Sequence, residues 1–282
     1  MHTQERFMHG VFLVSAVTSI FAVLLICLFL FAGGVPAMLE IGVADFLTGM
    51  RWKPGSDLYG ILPMILGSIY VTAGAVVVGV PTGVLTAVYM ARFCPPWAYR
   101  FLKPAVELLA GIPSVVYGFF GLMVIVPALR TAFGGSGTSL LAASLVLGIM
   151  ILPTVIGVGE AALRAVPESY YEGSLALGAS KERSVFFVVL PAARSGILAG
   201  VVLGIGRAIG ETMAVIMVAG NQPVIPSSLF KGLRTLTANI VLEMGYAADL
   251  HREALVATAV VLFVFILCIN MAFALLKRRV TQ

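Results

Sequence analysis

The chain has 282 residues, of which 60% are hydrophobic and 11% are charged, and its mean hydropathy is +1.05. A soluble globule of this length needs more polar surface than that, so the composition excludes an ordinary soluble protein and predicts an all-α membrane protein. The net charge is +5. Basic loops facing anionic lipid explain this surplus, so we expect membrane lipid and no nucleic acid as a partner.

Six apolar runs approach the ~20 residues that a helix needs to cross the hydrocarbon. They lie at about residues 11–33, 61–91, 104–129, 138–160, 195–220 and 254–276. The first run is too long for a signal-peptide core and no cleavage pattern precedes Pro36, so we predict a span there. Eleven Lys and Arg residues fall on one side of the six spans and six on the other, which predicts that both termini are cytoplasmic.

A long cytoplasmic loop joins the fourth and fifth runs. It covers residues 161–194, well beyond the 2–8 residues typical between bundle helices. The sequence predicts one helix that begins after Pro167 and ends at Gly178 in a left-handed cap. A second short helix is predicted, capped by Ser180 and stopped by Pro191.

The residues of this loop follow a regular spacing. Glu172 is followed by Gly178 after six residues, by Val188 after ten more, and then by Leu190 and Pro191. This spacing resembles the EAA loop of ABC-importer permeases. The resemblance implies a coupling helix that inserts into a groove of a cytoplasmic ATPase. It assigns this role to a set of eight residues: Glu172, Gly173, Ser174, Ala176, Gly178, Ala179, Leu190 and Pro191.

Departures from the family pattern are small. Gly173 and Ser174 replace the two alanines of the pattern. Residues 160–162 spell E-A-A literally, but Ala165 and Val166 stand where the glycine is required. The coupling loop is therefore assigned to the later segment.

Four stretches narrow the family further. They are "ELLAGIPSVVYGFFGL" at 107–122, "YYEGSLALGASKERSVFFVVLPAARSGILAG" at 170–200 and "GIGRAIGETMAVIMVAGN" at 204–221, together with 44–93. With these stretches, most of the chain resembles the PstC-type permease family of bacterial phosphate ABC importers. The family implies a type I ABC importer permease fold with six transmembrane helices. We expect an N-terminal helix and external loop at 1–60 and a permease domain at 61–282.

The resemblance also implies the partners. They are a second phosphate permease in a heterodimer, two copies of a cytoplasmic ATPase, a periplasmic or lipid-anchored phosphate-binding protein, and phosphate itself, in a bacterial or archaeal cytoplasmic membrane. The chain has no G-x-x-x-x-G-K-[ST] loop, so we expect a transport subunit without its own ATP site rather than an enzyme. The three histidines lack ligand spacing, so we expect no metal and no cofactor.

Two charged residues fall inside the fifth run. Arg207 lies twelve residues after Ser195, or about 18 Å along a helix, close to mid-membrane. Glu211 follows four residues later, which predicts a shared helical face. Each costs roughly 2.5–3.5 kcal/mol at the centre of a span. A guanidinium offers a fork of donors that fits phosphate, so a transport role is favoured; a structural ion pair is the alternative.

The fifth run also carries glycines at close-packing intervals. Gly196, Gly200 and Gly204 recur every four residues, and Gly206 with Gly210 forms a second pair. Such spacing lets helix backbones approach closely, and we expect contact with the partner permease or the third span.

In the third run, Pro113 predicts a kink beside Ser114 and Tyr117. Their hydroxyls are candidates to line the pathway; a kink shaped only for packing is the alternative. The complete predicted pathway set is Arg207, Glu211, Ser114, Tyr117 and Thr212. Glu107 is predicted to lie near the N-terminus of this span, where an acid is favourable.

Two other functions are compatible with parts of the sequence. The first is a secondary anion transporter that uses Arg207 and Glu211, but such a transporter would not need the loop at 161–194. An intramembrane serine protease is suggested by "GGSG" at 134–137 with His251, but Ser136 lies in a glycine-rich turn that needs no chemistry to explain it. The external segment 221–252 carries four polar residues that are expected as solvated loop charges; docking of the binding protein or guidance of the anion inward is the alternative. They are Lys231, Arg234, Asn239 and Arg252.

Overall fold

This structure, a computed structural model, describes the backbone of residues 2–281 and the side chains of Glu5 and of residues 7–275. The helices are α1 (His2–Ile41), α2 (Val43–Thr48), α3 (Leu62–Val88), α4 (Pro96–Gly111), α5 (Ser114–Phe120), α6 (Val126–Phe133), α7 (Leu140–Arg164), α8 (Glu168–Ala176), α9 (Lys181–Ser184), α10 (Leu190–Ala192), α11 (Arg194–Gly210), α12 (Met213–Val218), α13 (Leu236–Glu243) and α14 (Asp249–Thr281). Wider π-helical turns occupy Tyr89–Phe93, Gly121–Ile125 and Val185–Val189.

A small hairpin follows α2. Its strands β1 (Trp52–Lys53) and β2 (Leu58–Tyr59) are antiparallel, with Trp52 opposite Tyr59 and a 3₁₀ turn at Pro54–Ser56 between them. Both aromatic side chains pack into a buried cluster with α13 and α14. The hairpin therefore joins the ends of several helices on one side of the molecule.

Within residues 2–281, five helical segments are long and apolar enough to cross a membrane on their own. They are Phe7–Ile41, Leu62–Phe93, Ser114–Phe133, Leu140–Arg164 and Asp249–Leu275. A sixth crossing is obtained when α11 is counted together with Lys181–Ala192, across a 70° bend. The prediction of an all-α protein with six transmembrane spans is confirmed when the bent pair is counted as one span, but the third and fifth spans are built differently from the prediction.

The third span begins later than predicted. Ile112 and Pro113 are extended, so α4 is a separate helix and the span starts at Ser114 rather than at residue 104. The cause is local, because proline lacks an N–H and disfavours helical geometry in the residue before it. Glu107 consequently lies in the second half of α4 and not at the N-terminus of the span.

The fifth span is not one helix. α11 ends at Gly210, Glu211 is extended with ψ 131°, and α12 begins at Met213. Two hydrogen bonds compensate for the interrupted backbone: the Glu211 carboxylate accepts from the Ala214 N–H at 3.1 Å, and the Thr237 hydroxyl donates to the Glu211 carbonyl at 3.0 Å. The predicted continuous helix over 195–220 is therefore wrong.

The core centres on α7, which packs between α3 and α11. A Cβ at Gly196 would overlap the methyl group of Ala162 in α7. A Cβ at Gly200 or Gly204 would lie 3.0–3.1 Å from valine side chains that also belong to α7. These three glycines face α7, which is the fourth span. The prediction that they pack against the third span or a partner chain is therefore wrong. Gly206 and Gly210 have no described atom within 4 Å of a Cβ position.

Candidate functional site

The breaks in the third and fifth spans belong to helices that touch each other. A Cβ at Gly118 would lie 2.8 Å from the Cα of Ala214, so α5 and α12 pack backbone to backbone. The buried Tyr117 hydroxyl donates to the Leu109 carbonyl at 2.7 Å and so ties α5 back to α4. Paired interruptions of this kind are tolerated at membrane depth where the backbone is buried in protein or lines a cavity, and they commonly mark transport sites.

Arg207 is a half-buried cation that has no ion-pair or hydrogen-bond partner among the described residues. No described side chain or carbonyl makes a hydrogen bond or ion pair with its guanidinium. Its charge acts on the nearby Tyr117 hydroxyl. The structure thus places Arg207 in the fifth span just before the break, within electrostatic reach of the third span.

The predicted pairing of Arg207 with Glu211 is not found. Helical geometry stops at Gly210, so the two residues do not share a helical face. The Glu211 carboxylate instead accepts from the Ala214 N–H at the start of α12. Glu211 holds the break in place, and Thr212 beside it donates to the Gly210 carbonyl at 3.3 Å.

The other predicted residues of the third span lie at the start of α5. Ser114 is half-buried in the first turn, and Pro113 is the exposed residue before it. Pro113 therefore ends one helix and begins another instead of bending a continuous one.

An unpaired guanidinium in a membrane span is expensive, since both the charge and its donors are removed from bulk water. The same group presents a planar fork of N–H donors that keeps its charge at all physiological pH values. Such a fork fits the oxygens of a tetrahedral oxyanion. Chemically, the site can receive an anion.

The cytoplasmic loop contains the predicted helix, glycine turn and helix. Gly178 has φ 85°, its N–H donates to the Leu175 carbonyl at 2.9 Å, and the next N–H, of Ala179, donates to the Ser174 carbonyl at 3.2 Å. These two bonds form a Schellman C-cap, which a left-handed glycine makes possible. The Ser180 hydroxyl accepts from the Arg183 N–H, which caps α9.

Pro191 does not stop the second helix of the loop, contrary to prediction. The helical segment continues through a π-helical turn to Ala192 and turns at Ala193 into α11. The wider turn over Val185–Val189 is consistent with a proline that cannot donate to the carbonyl four residues earlier.

The tip of the loop is exposed. Leu177 is 91% exposed, and Gly173 and Gly178 have no described atom within 4 Å of a Cβ position. Glu172 and Ala176 on the same helix are exposed as well. An exposed leucine among small residues forms a protrusion that a groove in another protein can accept.

A buried ion cluster that the sequence does not predict lies at the end of α7 that leads into the loop at 161–194. The Glu160 carboxylate is 2% exposed and accepts from Tyr99 Oη at 2.6 Å, Lys103 Nζ at 2.9 Å and Arg164 Nε at 2.8 Å. The hydrogen bond to Glu160 raises the pKa of Lys103, although burial opposes the shift, and it also raises the pKa of Tyr99. The signal in the sequence was the literal E-A-A, with an arginine four residues after its glutamate.

A second buried cluster lies outside the membrane spans. Arg234 is bonded to Glu243, which also accepts from Trp52 Nε1 at 2.7 Å and lies 2.9 Å from His251 Nε2. Burial, with the neighbouring Glu243 charge, raises the pKa of Tyr246. Arg234 and the fully buried Asn239 are thus structural, which corrects their expected role as solvated loop charges.

The serine-protease alternative finds no support in the geometry. Ser136 is exposed and donates to the Thr138 carbonyl, whereas His251 is held by Glu243. Within the part of the chain that the structure describes, no group of three or more His, Cys, Asp or Glu residues is arranged to hold a metal.

The multi-pass helical fold, the broken third and fifth spans and the exposed cytoplasmic loop together define a type I ABC importer permease. Residues 79–282 match the family described as binding-protein-dependent transport system inner membrane component. The chain belongs to that family, and it is therefore a multi-pass protein of the bacterial inner membrane that works with an ATPase and a binding protein.

Relatives and solved structures agree with this assignment. The chain is 41% identical to a probable ABC transporter permease protein, YqgH, of Bacillus subtilis over 90% of this chain and 86% of that protein. It is 37% identical to the phosphate transport system permease protein PstC of Mesorhizobium japonicum, over 83% and 78%. A solved bacterial alginate ABC transporter shares the fold, with a TM-score of 0.64 at 14% identity over 95% of this chain and 97% of that one.

Proposed function

We propose that this chain is the permease subunit of an ATP-driven importer of inorganic phosphate and forms half of its translocation pathway. The observation that carries the proposal is the Arg207 guanidinium beside the broken fifth span, which pairs with no side chain in the part of the chain that the structure describes. The phosphate transport permeases among its relatives support the choice of phosphate over another oxyanion.

In this proposal Arg207 receives the anion. Ser114 of α5 and Thr212 at the break, both half-buried, line the same passage in this proposal, and the buried Tyr117, which donates to the Leu109 carbonyl, shapes it. Glu211 acts indirectly, because its carboxylate and carbonyl hold the break open to polar groups. Non-helical backbone at that depth is consistent with a lining of a polar passage.

ATP hydrolysis takes place on a partner chain, and the loop tip around Leu177 docks into it. We propose two copies of the ATPase and a heterodimer with a second permease, for which the open face at Gly206 and Gly210 is the proposed contact. A periplasmic or lipid-anchored protein delivers phosphate from outside. Both termini are cytoplasmic, and residues 1–60 are an N-terminal addition to a permease unit at 61–282.

The test is uptake of labelled phosphate into proteoliposomes that contain this chain, its partner permease and the ATPase, with the binding protein outside. We expect uptake that requires internal ATP and that excess unlabelled phosphate, but not sulfate, reduces. Uptake that does not depend on ATP would instead indicate a secondary anion transporter.

The coupling loop is tested in the same vesicles with Gly178→Trp. We expect ATP-dependent uptake to be lost because the bulky side chain blocks docking. Gly178→Ala controls for backbone strain at the positive φ, and Gly55→Trp controls for bulk, since Gly55 lies in an external turn with open space around it. Unchanged uptake in Gly178→Trp would remove the docking role from this loop.

A further inference from the structure

Arg92 joins the coupling loop to the membrane helices. It lies in the π-helical turn Tyr89–Phe93 at the cytoplasmic end of the second span, and its side chain is 11% exposed. One guanidinium nitrogen donates to Glu168 at 2.6 Å, and the other donates to the Leu163 carbonyl at 3.2 Å. The guanidinium also lies over the Tyr171 ring, 5.6 Å from its centroid.

The three contacts belong to different elements. Glu168 and Tyr171 are in α8, the first helix of the coupling loop, whereas Leu163 is in the last turn of α7. A single side chain of the second span therefore holds both the fourth span and the coupling helix. The buried Nε of Arg92 has no partner among the described residues, so this site carries a desolvation cost that packing alone would not require.

The apolar contacts beneath the loop have a different character. Val166, Val185 and Val189 pack against Val88 and Leu163 in one buried cluster. Apolar packing is non-directional, so it permits small sliding movements. A charged fork bonded to two acceptors fixes orientation as well as distance, which makes Arg92 the contact best suited to carry a movement of α8.

Further contacts lead from α7 toward the candidate site. Arg164 donates to the Met90 carbonyl at 3.1 Å, and Glu160 binds Lys103 of α4. The Leu109 carbonyl of α4 accepts from Tyr117, near Arg207. Packed side chains and charged pairs of this kind can transmit a displacement between two arrangements of a protein.

We propose that Arg92 is a positioning residue that transmits movement of the coupling loop to the second and fourth spans, through its paired contacts with Glu168 and the Leu163 carbonyl. This inference rests on the proposed coupling role of the loop. In this inference the Arg92–Glu168 pair determines how much phosphate is transported per ATP hydrolysed. It does not determine phosphate binding or assembly of the complex.

The test measures uptake and ATP hydrolysis in the same proteoliposomes holding the full importer. Arg92→Gln and Glu168→Gln are each expected to lower the ratio of phosphate imported to ATP hydrolysed by about fivefold or more, while the complex still assembles. The double variant is expected to fall no further than Arg92→Gln, because Arg92→Gln already removes the contact that Glu168→Gln weakens. Arg92→Lys keeps the charge but loses the fork, so an intermediate ratio is expected.

Arg100→Gln is the matched control, because it removes one exposed cytoplasmic-side arginine that makes no described hydrogen bond or ion pair. It should leave the ratio unchanged. If Arg92→Gln does not fold, Glu168→Gln decides alone, since it alters a half-exposed side chain.

Failure of the inference and failure of the proposed function give different results. If wild-type uptake is independent of ATP, the proposed function is wrong. If Gly178→Trp abolishes coupling but Glu168→Gln and Arg92→Gln keep the wild-type ratio, or reduce it independently of each other, only the role of Arg92 is overturned.

Discussion

Replacing Glu160 with glutamine should loosen α4 from the membrane core. The Glu160 carboxylate accepts hydrogen bonds from Tyr99, Lys103 and Arg164, and it is 2% exposed. A hydrogen bond to a charged group is worth about 1.5–3 kcal/mol when both partners are buried. Lys103 and Arg164 are 33% and 47% exposed, so water recovers much of their share, and each pair contributes only about 0.5–1 kcal/mol.

Glutamine keeps the size of the side chain, so no cavity forms, and its lack of charge removes the cost of burying a carboxylate. This gain offsets part of the hydrogen-bond energy that is lost. On balance we expect Glu160→Gln to lower the free energy of unfolding by about 2 kcal/mol. The measurement is denaturant unfolding in detergent micelles, combined with protease sensitivity of the segment around α4.

Glu107→Gln is the matched control for this change. Glu107 is on α4 as well, but its side chain is 65% exposed and its only described pair, with Lys103, is at 3.9 Å. A change within ±0.5 kcal/mol is expected for such a surface position. Equal stability of the two variants would refute the anchoring role of Glu160.

Three further results are expected. Gly196→Ala should destabilise the chain by about 1–3 kcal/mol because its methyl group would overlap Ala162, whereas Gly206→Ala should not destabilise the isolated chain; thermal unfolding in detergent compares them, and equal losses would contradict the packing. The pKa of Lys103 is raised, so the stabilisation from its pair with Glu160 should be fully present below the ordinary lysine pKa and lost as pH rises through the raised value. The stability difference between wild type and Lys103→Met should therefore shrink only above about pH 10. A difference that disappears near neutral pH would contradict this. Ser136→Ala should leave ATP-dependent phosphate uptake unchanged, and its loss would revive a chemical role for that serine.

The sequence predicted the helical membrane fold because apolar runs near 20 residues report directly on membrane spans. It also predicted the glycine turn of the coupling loop, since Gly178 adopts a left-handed conformation that few other residues tolerate. The break at Pro113 follows from a local property, since proline disfavours helical geometry in the residue before it. The length of the apolar run around it nevertheless favours the interpretation as one kinked helix.

The break at Glu211 was not available from local sequence. The residues on both sides are apolar or small and compatible with a helix, and one of the stabilising bonds comes from Thr237, 26 residues later. Arg234 is likewise expected from the sequence to be a solvated loop charge, because its burial depends on distant partners: it is bonded to Glu243, which accepts from the hairpin residue Trp52, 191 residues earlier in the chain. From the sequence alone, Arg92 is only one of the basic residues predicted on the cytoplasmic side. Its contacts with Glu168 and Leu163 depend on tertiary packing.

The most direct measurement of the central claim compares wild type with Arg207→Gln in the reconstituted importer, recording labelled phosphate uptake and ATP hydrolysis together. Glutamine keeps much of the length of the side chain but loses the charge and the fork. The account predicts that ATP-driven phosphate uptake falls at least about tenfold while complex assembly persists, as expected for loss of a charged hydrogen bond to the anion. Uptake at the wild-type rate in Arg207→Gln would show that the guanidinium is not on the path of the anion.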